Sequence, residues 1–230
     1  MVMKKVFWII LCMFFILPVI FAENMKLHYE RPAEYFEEAL VIGNGTMGAT
    51  LYGGVKKDKI SFNDITLWTG EPESENSSPD AFNAIPEIRA LLDNEDYQGA
   101  DKAQYKVQGH YSENYQPLGT LTIEYLDDTV GISDYHRWLD IGNATARTQY
   151  LKGGKLFTSD YFASAPDSVI VIRLKSENKE GIHALLSFDS PLPHSSQVAD
   201  NEISVEGYAA YHSFPVYYKA EDKHRYDPER

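Results

Sequence analysis

The sequence predicts a mainly β protein: a large antiparallel β-sandwich with a short helical insertion around residues 83–107. Three observations predict it. Strand-like runs recur about every 8–15 residues with turn signals between them, as in sandwiches. Apolar residues at helical spacing occur in a single stretch. Gly153-Gly154 separates two alternating runs, a two-residue hairpin signal. Hydrophobic residues at 43% and aromatics at 13% supply a core and argue against disorder.

In chain order, residues 23–39 read as an irregular entry. Leu40–Val55 (LVIGNGTMGATLYGGV) carries five glycines and reads as a glycine-rich turn into a strand. In Lys59–Trp68, Ile60 and Phe62 alternate with Ser61 and Asn63, the pattern of a half-buried strand. Residues 70–82 form a polar loop rich in proline and serine, and its acids Glu71, Glu73, Glu75 and Asp80 read as solvated.

Ile85, Ile88, Leu91 and Leu92 then place a helix from Asn83 to about Lys106, with Asn83 as its cap and Pro86 in the first turn. Asp93-Asn94 is expected to break it, with a second helix over Glu95–Tyr105 and Gly109 ending the region.

From residue 118 onward every run reads as strand. Leu121, Ile123 and Tyr125 alternate with Thr122 and Glu124. Ala144–Leu151 and Lys155–Ala163 form the hairpin. Val169–Leu174 (VIVIRL) is continuously apolar and reads as a strand buried on both faces. Ile182–Phe188, Ile203–Tyr208 and Phe214–Tyr218 complete the set. Residues 219–230 (KAEDKHRYDPER) carry eight charges and read as a solvated tail or the start of a linker.

Residues 1–22 are expected to be a secretory signal peptide. Lys4 and Lys5 precede an uncharged run, Pro18 interrupts it and Ala22 suits a cleavage site. The reading is a secreted or periplasmic chain with no stable membrane span after cleavage. Residues 23–218 are then the sandwich domain. Cys12, the one cysteine, lies in the leader, so no disulfide or thiolate chemistry is expected of the mature chain. The net charge of −13, more acidic once Lys4 and Lys5 are removed, repels phosphate backbones and excludes nucleic acid as a partner.

Gly43-Asn44-Gly45-Thr46-Met47-Gly48 fits G-x-G-x-x-G as a string. A dinucleotide site needs a helix directly after it, and Ala-Thr-Leu-Tyr-Gly-Gly-Val does not build one. The seven histidines form no metal-binding spacing, so neither a metal nor another cofactor is expected, and no nucleophile elbow or P-loop occurs. The Asn-x-Ser/Thr triplets at Asn44, Asn76 and Asn143 are close to chance frequency.

Two loops concentrate groups that suit sugars: Asn63, Asp64, Thr66, Trp68 and Thr69 in one, and Tyr111, Asn114, Tyr115 and Gln116 in the other. Amides and carboxylates pair with sugar hydroxyls, and aromatic faces stack on the C–H side of a sugar ring. The competing reading makes Trp68 and Tyr115 core or interface anchors. No catalytic residue is assigned.

The same segments carry a family resemblance. PAEYFEEALVIGNGTMGATLYGG (32–54), KISFNDITLWTG (59–70), IPEIRALL (85–92), YQPLGTLTIEY (115–125), YHRWLDIGNATARTQY (135–150) and FASAPDSVIVIRL (162–174) follow one another in order. Together they resemble the N-terminal domain of glycoside hydrolase family 95, the inverting α-L-fucosidases, over about residues 27–218. Ile65 stands where that family tends to have an acid, Thr120 where it has Asp, and Val41 where it has Pro.

The resemblance implies a supersandwich-like N-domain that supports an (α/α)6 catalytic barrel, and no segment of this chain resembles that barrel. Asn63, Asp64, Trp68, Tyr115 and Gln116 are the positions expected to face the barrel or a substrate cleft. The rival expectations are a stand-alone carbohydrate-binding module for fucosylated glycans and the sandwich domain of a related phosphorylase-type glycosidase.

Overall fold

A computed structural model describes residues 25–70, 80–109, 112–127 and 130–229. The expected signal peptide and most of the acidic loop lie outside the described residues. Contacts divide the chain into two compact units. The described residues up to Leu67 join Pro117–Glu206, and Trp68–Gln116 join the residues from Gly207 onward.

The first unit is the sandwich. Its strands are β1 (Lys26–Tyr29), β2 (Leu40–Gly43), β3 (Met47–Leu51), β4 (Lys57–Asp64), β5 (Gly119–Tyr125), β6 (Ile132–Asp140), β7 (Thr145–Lys152), β8 (Lys155–Ser164), β9 (Val169–Ser176), β10 (Ala184–Asp189), β11 (His194–Ala199) and β12 (Glu202–Gly207). One five-stranded sheet has the order β1-β6-β7-β8-β9 and the other β10-β5-β4-β3-β2, while β11 and β12 pair separately. Both large sheets are antiparallel throughout.

Period-two patterning builds the core. Leu40, Ile42, Ala49, Leu51, Ile60, Ile123 and Tyr125 from one sheet pack against Ala146, Tyr150, Phe157 and Tyr161 from the other. The Phe157 ring sits edge-on to Tyr125 at 5.6 Å and stacks on Tyr150 at 5.4 Å.

Two charged side chains are buried with these apolar ones. Asp58 on β4 is 2% exposed. Its carboxylate accepts from the Gly54 N–H at 2.8 Å, the Lys59 N–H at 2.9 Å and the Tyr161 hydroxyl of the opposite sheet at 2.9 Å. Burial pushes its pKa up to about 6 against the lowering effect of those bonds. Arg137 on β6 is 1% exposed and donates to the carbonyls of Arg31 and Glu38, both at 2.8 Å, with its guanidinium 4.2 Å over the Tyr29 ring. It thereby ties the irregular entry segment to the sheet.

Two turns depend on glycine. At the β7–β8 hairpin Gly153 and Gly154 have φ of 56° and 75°, the type I′ geometry that their sequence predicts. Between β3 and β4 a Cβ on Gly54 would lie 2.0 Å from the Lys57 carbonyl oxygen, so only glycine lets the chain approach Asp58 this closely. The G-x-G-x-x-G string is likewise a turn: it closes the β2–β3 hairpin, where the Asn44 Oδ1 accepts from the N–H groups of Thr46 and Met47.

The second unit holds helices α1 (Ala81–Asp93) and α2 (Tyr97–Ala103), a 3-10 turn over Gln104–Val107, and the short strands β13 (His212–Ser213) and β14 (His224–Arg225). The helical insertion is therefore where the periodicity places it, with corrections at the ends. Asp80 rather than Asn83 occupies the N-cap position of α1, and Pro86 lies in the second turn. Asp96 caps α2, accepting from the Gly99 N–H at 2.9 Å.

Three strand expectations change. VIVIRL forms β9, half-buried and at the edge of its sheet among the described residues, with β8 as its strand neighbour there. Phe214–Tyr218 is not a strand: Pro215 has no N–H to give a ladder, and its carbonyl accepts from Tyr218 in a turn. The described part of the charged stretch, residues 219–229, is mostly exposed, and within it Arg225 and His224 pair with His212 and Ser213. No helix among the described residues is long and apolar enough to cross a membrane.

Asp58 generates a pH prediction. Its native pKa of about 6 lies above the unfolded value, so the native state holds the extra proton between about pH 4 and 6. This group's contribution is therefore most favourable at low pH and declines as pH rises through that window. Urea unfolding of Asp58→Asn and the parent should show the stability difference shifting toward the variant by about 2 kcal/mol from pH 4.5 to 7.5. A difference independent of pH contradicts the assignment.

Candidate functional site

The five residues singled out by the sequence divide between the two units. Asn63 and Asp64 end β4 in the sandwich unit. Asn63 Oδ1 accepts from the Asp64 N–H, and Asp64 Oδ1 accepts from the Thr66 N–H at 2.9 Å and hydroxyl at 2.6 Å. The Thr66 bonds hold the Asp64 carboxyl below the usual range. Both side chains are half-buried and serve the local turn.

Trp68, Tyr115 and Gln116 belong to the second unit. Trp68 and Tyr115 face one another across an isolated antiparallel bridge, with ring centroids 5.5 Å apart and planes tilted by 40°. They are 55% and 45% exposed, so this is an aromatic surface rather than a core contact. Gln116 is buried, and its side-chain amide makes a two-point pairing with the Ala210 backbone, both bonds at 3.2 Å. It anchors the later segment of the unit and does not reach toward solvent.

The residue that organises this unit was not singled out by any pattern. Glu113 accepts from the Thr69 hydroxyl, from His212 Nδ1 at 2.6 Å and from the Ser213 N–H at 3.1 Å. Burial alone would raise its pKa, but these donors outweigh it and hold the carboxyl below the usual range. Thr69 and Asn114 exchange two more bonds, each 2.8 Å, and the Asn114 amide donates to the Ser213 carbonyl at 2.7 Å. Ser213 Oγ lies 2.8 Å from His224 Nδ1, which brings the charged C-terminal stretch into the same network. Residues on either side of the aromatic bridge are thus fixed by side-chain bonds. Tyr111 lies outside the described residues.

Chemically, the exposed Trp68–Tyr115 pair is a stacking surface backed by a rigid polar scaffold. Glu113 is committed to three donors, which suits positioning and not proton transfer. Two other features lie in the sandwich unit. A groove of about 650 Å³ on the outer face of the β1-β6-β7-β8-β9 sheet is lined by Trp138, Arg147, Asp160 and Arg173 among others. Asp160 there pairs with both arginines, and those pairings outweigh burial and hold its carboxyl down. His28, Glu30 and His136 form a group of potential metal ligands on the same sheet.

Residues 27–227 match the model of the "Glycosyl hydrolase family 65, N-terminal domain", and the chain belongs to that family. The match runs past residue 218 into the charged stretch that β14 joins to the second unit.

Among curated proteins the chain is similar to "Alpha-L-fucosidase 2" of Arabidopsis thaliana, 33% identical over 196 residues that make up 84% of this chain and 23% of the relative. It is 28% identical over 169 residues to "Probable alpha-fucosidase A" of Aspergillus niger, covering 69% of this chain and 21% of that protein. A protein of the same name from Aspergillus oryzae is 29% identical over 144 residues, covering 60% of this chain and 20% of the relative. The chain thus spans about a fifth of the length of each relative. The resemblance to the N-terminal domain of a fucosidase-type glycoside hydrolase, read from the six ordered segments, is met by these matches.

The Glu113 network predicts a stability effect. Glu113→Ala would leave the donors on Thr69, His212 and Ser213 without their acceptor, at a cost of about 1–3 kcal/mol in urea unfolding. A change within about 0.5 kcal/mol, as for an ordinary surface substitution, contradicts the organising role.

Proposed function

We propose that this chain is the non-catalytic N-terminal β-sandwich domain of a secreted glycoside hydrolase of the family 95 α-L-fucosidase type. Its role is to support an (α/α)6 catalytic barrel. The observation that carries the reading is the alignment: similarity extends over most of this chain but is confined to 20–23% of relatives named as α-fucosidases.

Two features agree with it. The side chains that suit sugars are hydrogen-bonded within the fold (Asn63, Asp64, Gln116) or form an exposed aromatic surface (Trp68, Tyr115). The second unit also exposes Phe82, Tyr97 and Tyr105, apolar surface of the kind a partner domain covers. Secretion rests on the leader-like pattern of residues 1–22.

A second reading, a carbohydrate-binding module for fucosylated glycans, is favoured by one observation: the exposed Trp68–Tyr115 pair. In this reading the pair stacks on a sugar ring while the Glu113 scaffold keeps the two rings aligned.

The support role predicts that the purified chain turns over an aryl α-L-fucoside no faster than a protein-free blank. Measurable turnover that scales with chain concentration contradicts it. The binding role predicts saturable heat when a fucosylated oligosaccharide is titrated into the chain, weakened by about 1 kcal/mol or more in Trp68→Ala. Equal affinity in parent and variant removes Trp68 from recognition.

A further inference from the structure

His28 and His136 lie 108 residues apart in sequence, so no spacing motif relates them, yet antiparallel pairing of β1 with β6 brings them together. In that ladder His28 is opposite Trp138 and Tyr29 is opposite Arg137. Glu30 directly follows β1, where the ladder ends, and lies close to His136. His28 and Glu30 are two residues apart, so strand alternation puts them on one face. His136 shares that face: its β7 partner is Gln149, whereas neighbouring Arg137 and Tyr150 are buried in the interior. The face is therefore the outer one. β6 is also irregular between Ser133 and His136, a departure of the kind that re-aims side chains in a strand.

The three side chains offer ligand atoms that all lie within 4.8 Å of one another. His28 Nε2 and His136 Nδ1 are hydrogen-bonded at 3.1 Å, so one of the two nitrogens carries a proton that a metal ion would displace. Two bonds of about 2.1 Å to one metal ion place their nitrogens roughly 3.0 Å apart at a right angle and roughly 3.4 Å at the tetrahedral angle. The observed separation falls between those values, so the histidines already stand at ligand–ligand distance. His28 and Glu30 are exposed and His136 is half-buried, so an ion can enter without opening the fold.

We propose that His28, Glu30 and His136 form a zinc site on the outer face of the β1-β6-β7-β8-β9 sheet. The donor set decides the class of ion. Two imidazoles and one carboxylate suit zinc and its neighbours in the transition series, whereas calcium and magnesium take oxygen ligands. Three protein ligands leave the fourth tetrahedral position for water or an external ligand. The structural consequence follows from the position of β1. Among the described residues it is a four-residue strand at the edge of its sheet, exposed along its length and paired with β6 alone. A metal bridging β1 to β6 would clamp the strand that begins the sandwich. This inference is independent of whether the chain supports a barrel or binds sugar.

Titration of ZnCl2 into the full chain by calorimetry, with the Tm followed in parallel, tests it. The expected result is one equivalent bound and a rise of a few degrees in Tm at roughly a hundredfold excess over Kd. His28→Ala and His136→Ala should each weaken binding at least about tenfold, and Glu30→Gln should weaken it as well. The substituted groups lie outside the core, so the metal-free variants should keep the parent's circular dichroism and cooperative melting. Glu30→Gln, which preserves shape, retains the test if a histidine variant misfolds. Absence of saturable zinc binding by the parent overturns the proposal, as does unchanged binding in a His28→Ala, His136→Ala double variant.

Discussion

The hydrogen bond from the Tyr161 hydroxyl to Asp58 joins the two sheets of the sandwich through its interior. A carboxylate this deeply buried is tolerable only when its oxygens are met by donors, and three groups meet them here. That requirement constrains much of the first unit. The Gly54 N–H must reach Asp58, so the β3–β4 turn folds tightly enough that a Cβ on Gly54 would strike the Lys57 carbonyl. Tyr161 must point inward, which fixes the register of β8 and, through it, the inward ranks of β7 and β9. The aromatic cluster of Tyr125, Tyr150 and Phe157 then packs around a polar point whose position is not negotiable.

Arg137 plays the corresponding part at the edge of the sandwich. The entry segment between β1 and β2 has little regular structure of its own, and two of its carbonyls are bonded by a buried guanidinium. Glu113 does the same in the second unit, where helices and loops outnumber strands. In each case one charged side chain gathers backbone or side-chain groups that no ladder satisfies.

Local signals made most of the architecture legible in the sequence. Alternation identifies β4 and β5, Gly153-Gly154 identifies the β7–β8 hairpin, and helical spacing locates the insertion. These depend on neighbours a few residues apart. What the sequence hid depends on partners far away. VIVIRL reads as central because composition reports burial but not sheet order, and β9 proves to be an edge among the described residues. His224 and Arg225 are exposed as their charge implies, but charge says nothing of their pairing with His212–Ser213.

The candidate site divides along the same line. Trp68 and Tyr115 were legible by residue type, and the structure pairs them. Glu113 carries the network and escaped notice, because an acid in a polar loop has no periodic signature; its neighbours Asn114 and Tyr115 were the only cue. Gln116 looked like a sugar-binding amide, but its burial against Ala210 makes it an anchor.

The proposed role of this fold is to be the supporting β domain of an α-fucosidase-type hydrolase. A chimera tests it most directly: this chain's matched segment replaces the corresponding fifth of the Arabidopsis relative, and the product is assayed on an aryl α-L-fucoside. The account predicts a folded chimera that retains turnover, while deletion of the segment abolishes it. A well-folded chimera without activity, or full activity after deletion, would contradict it.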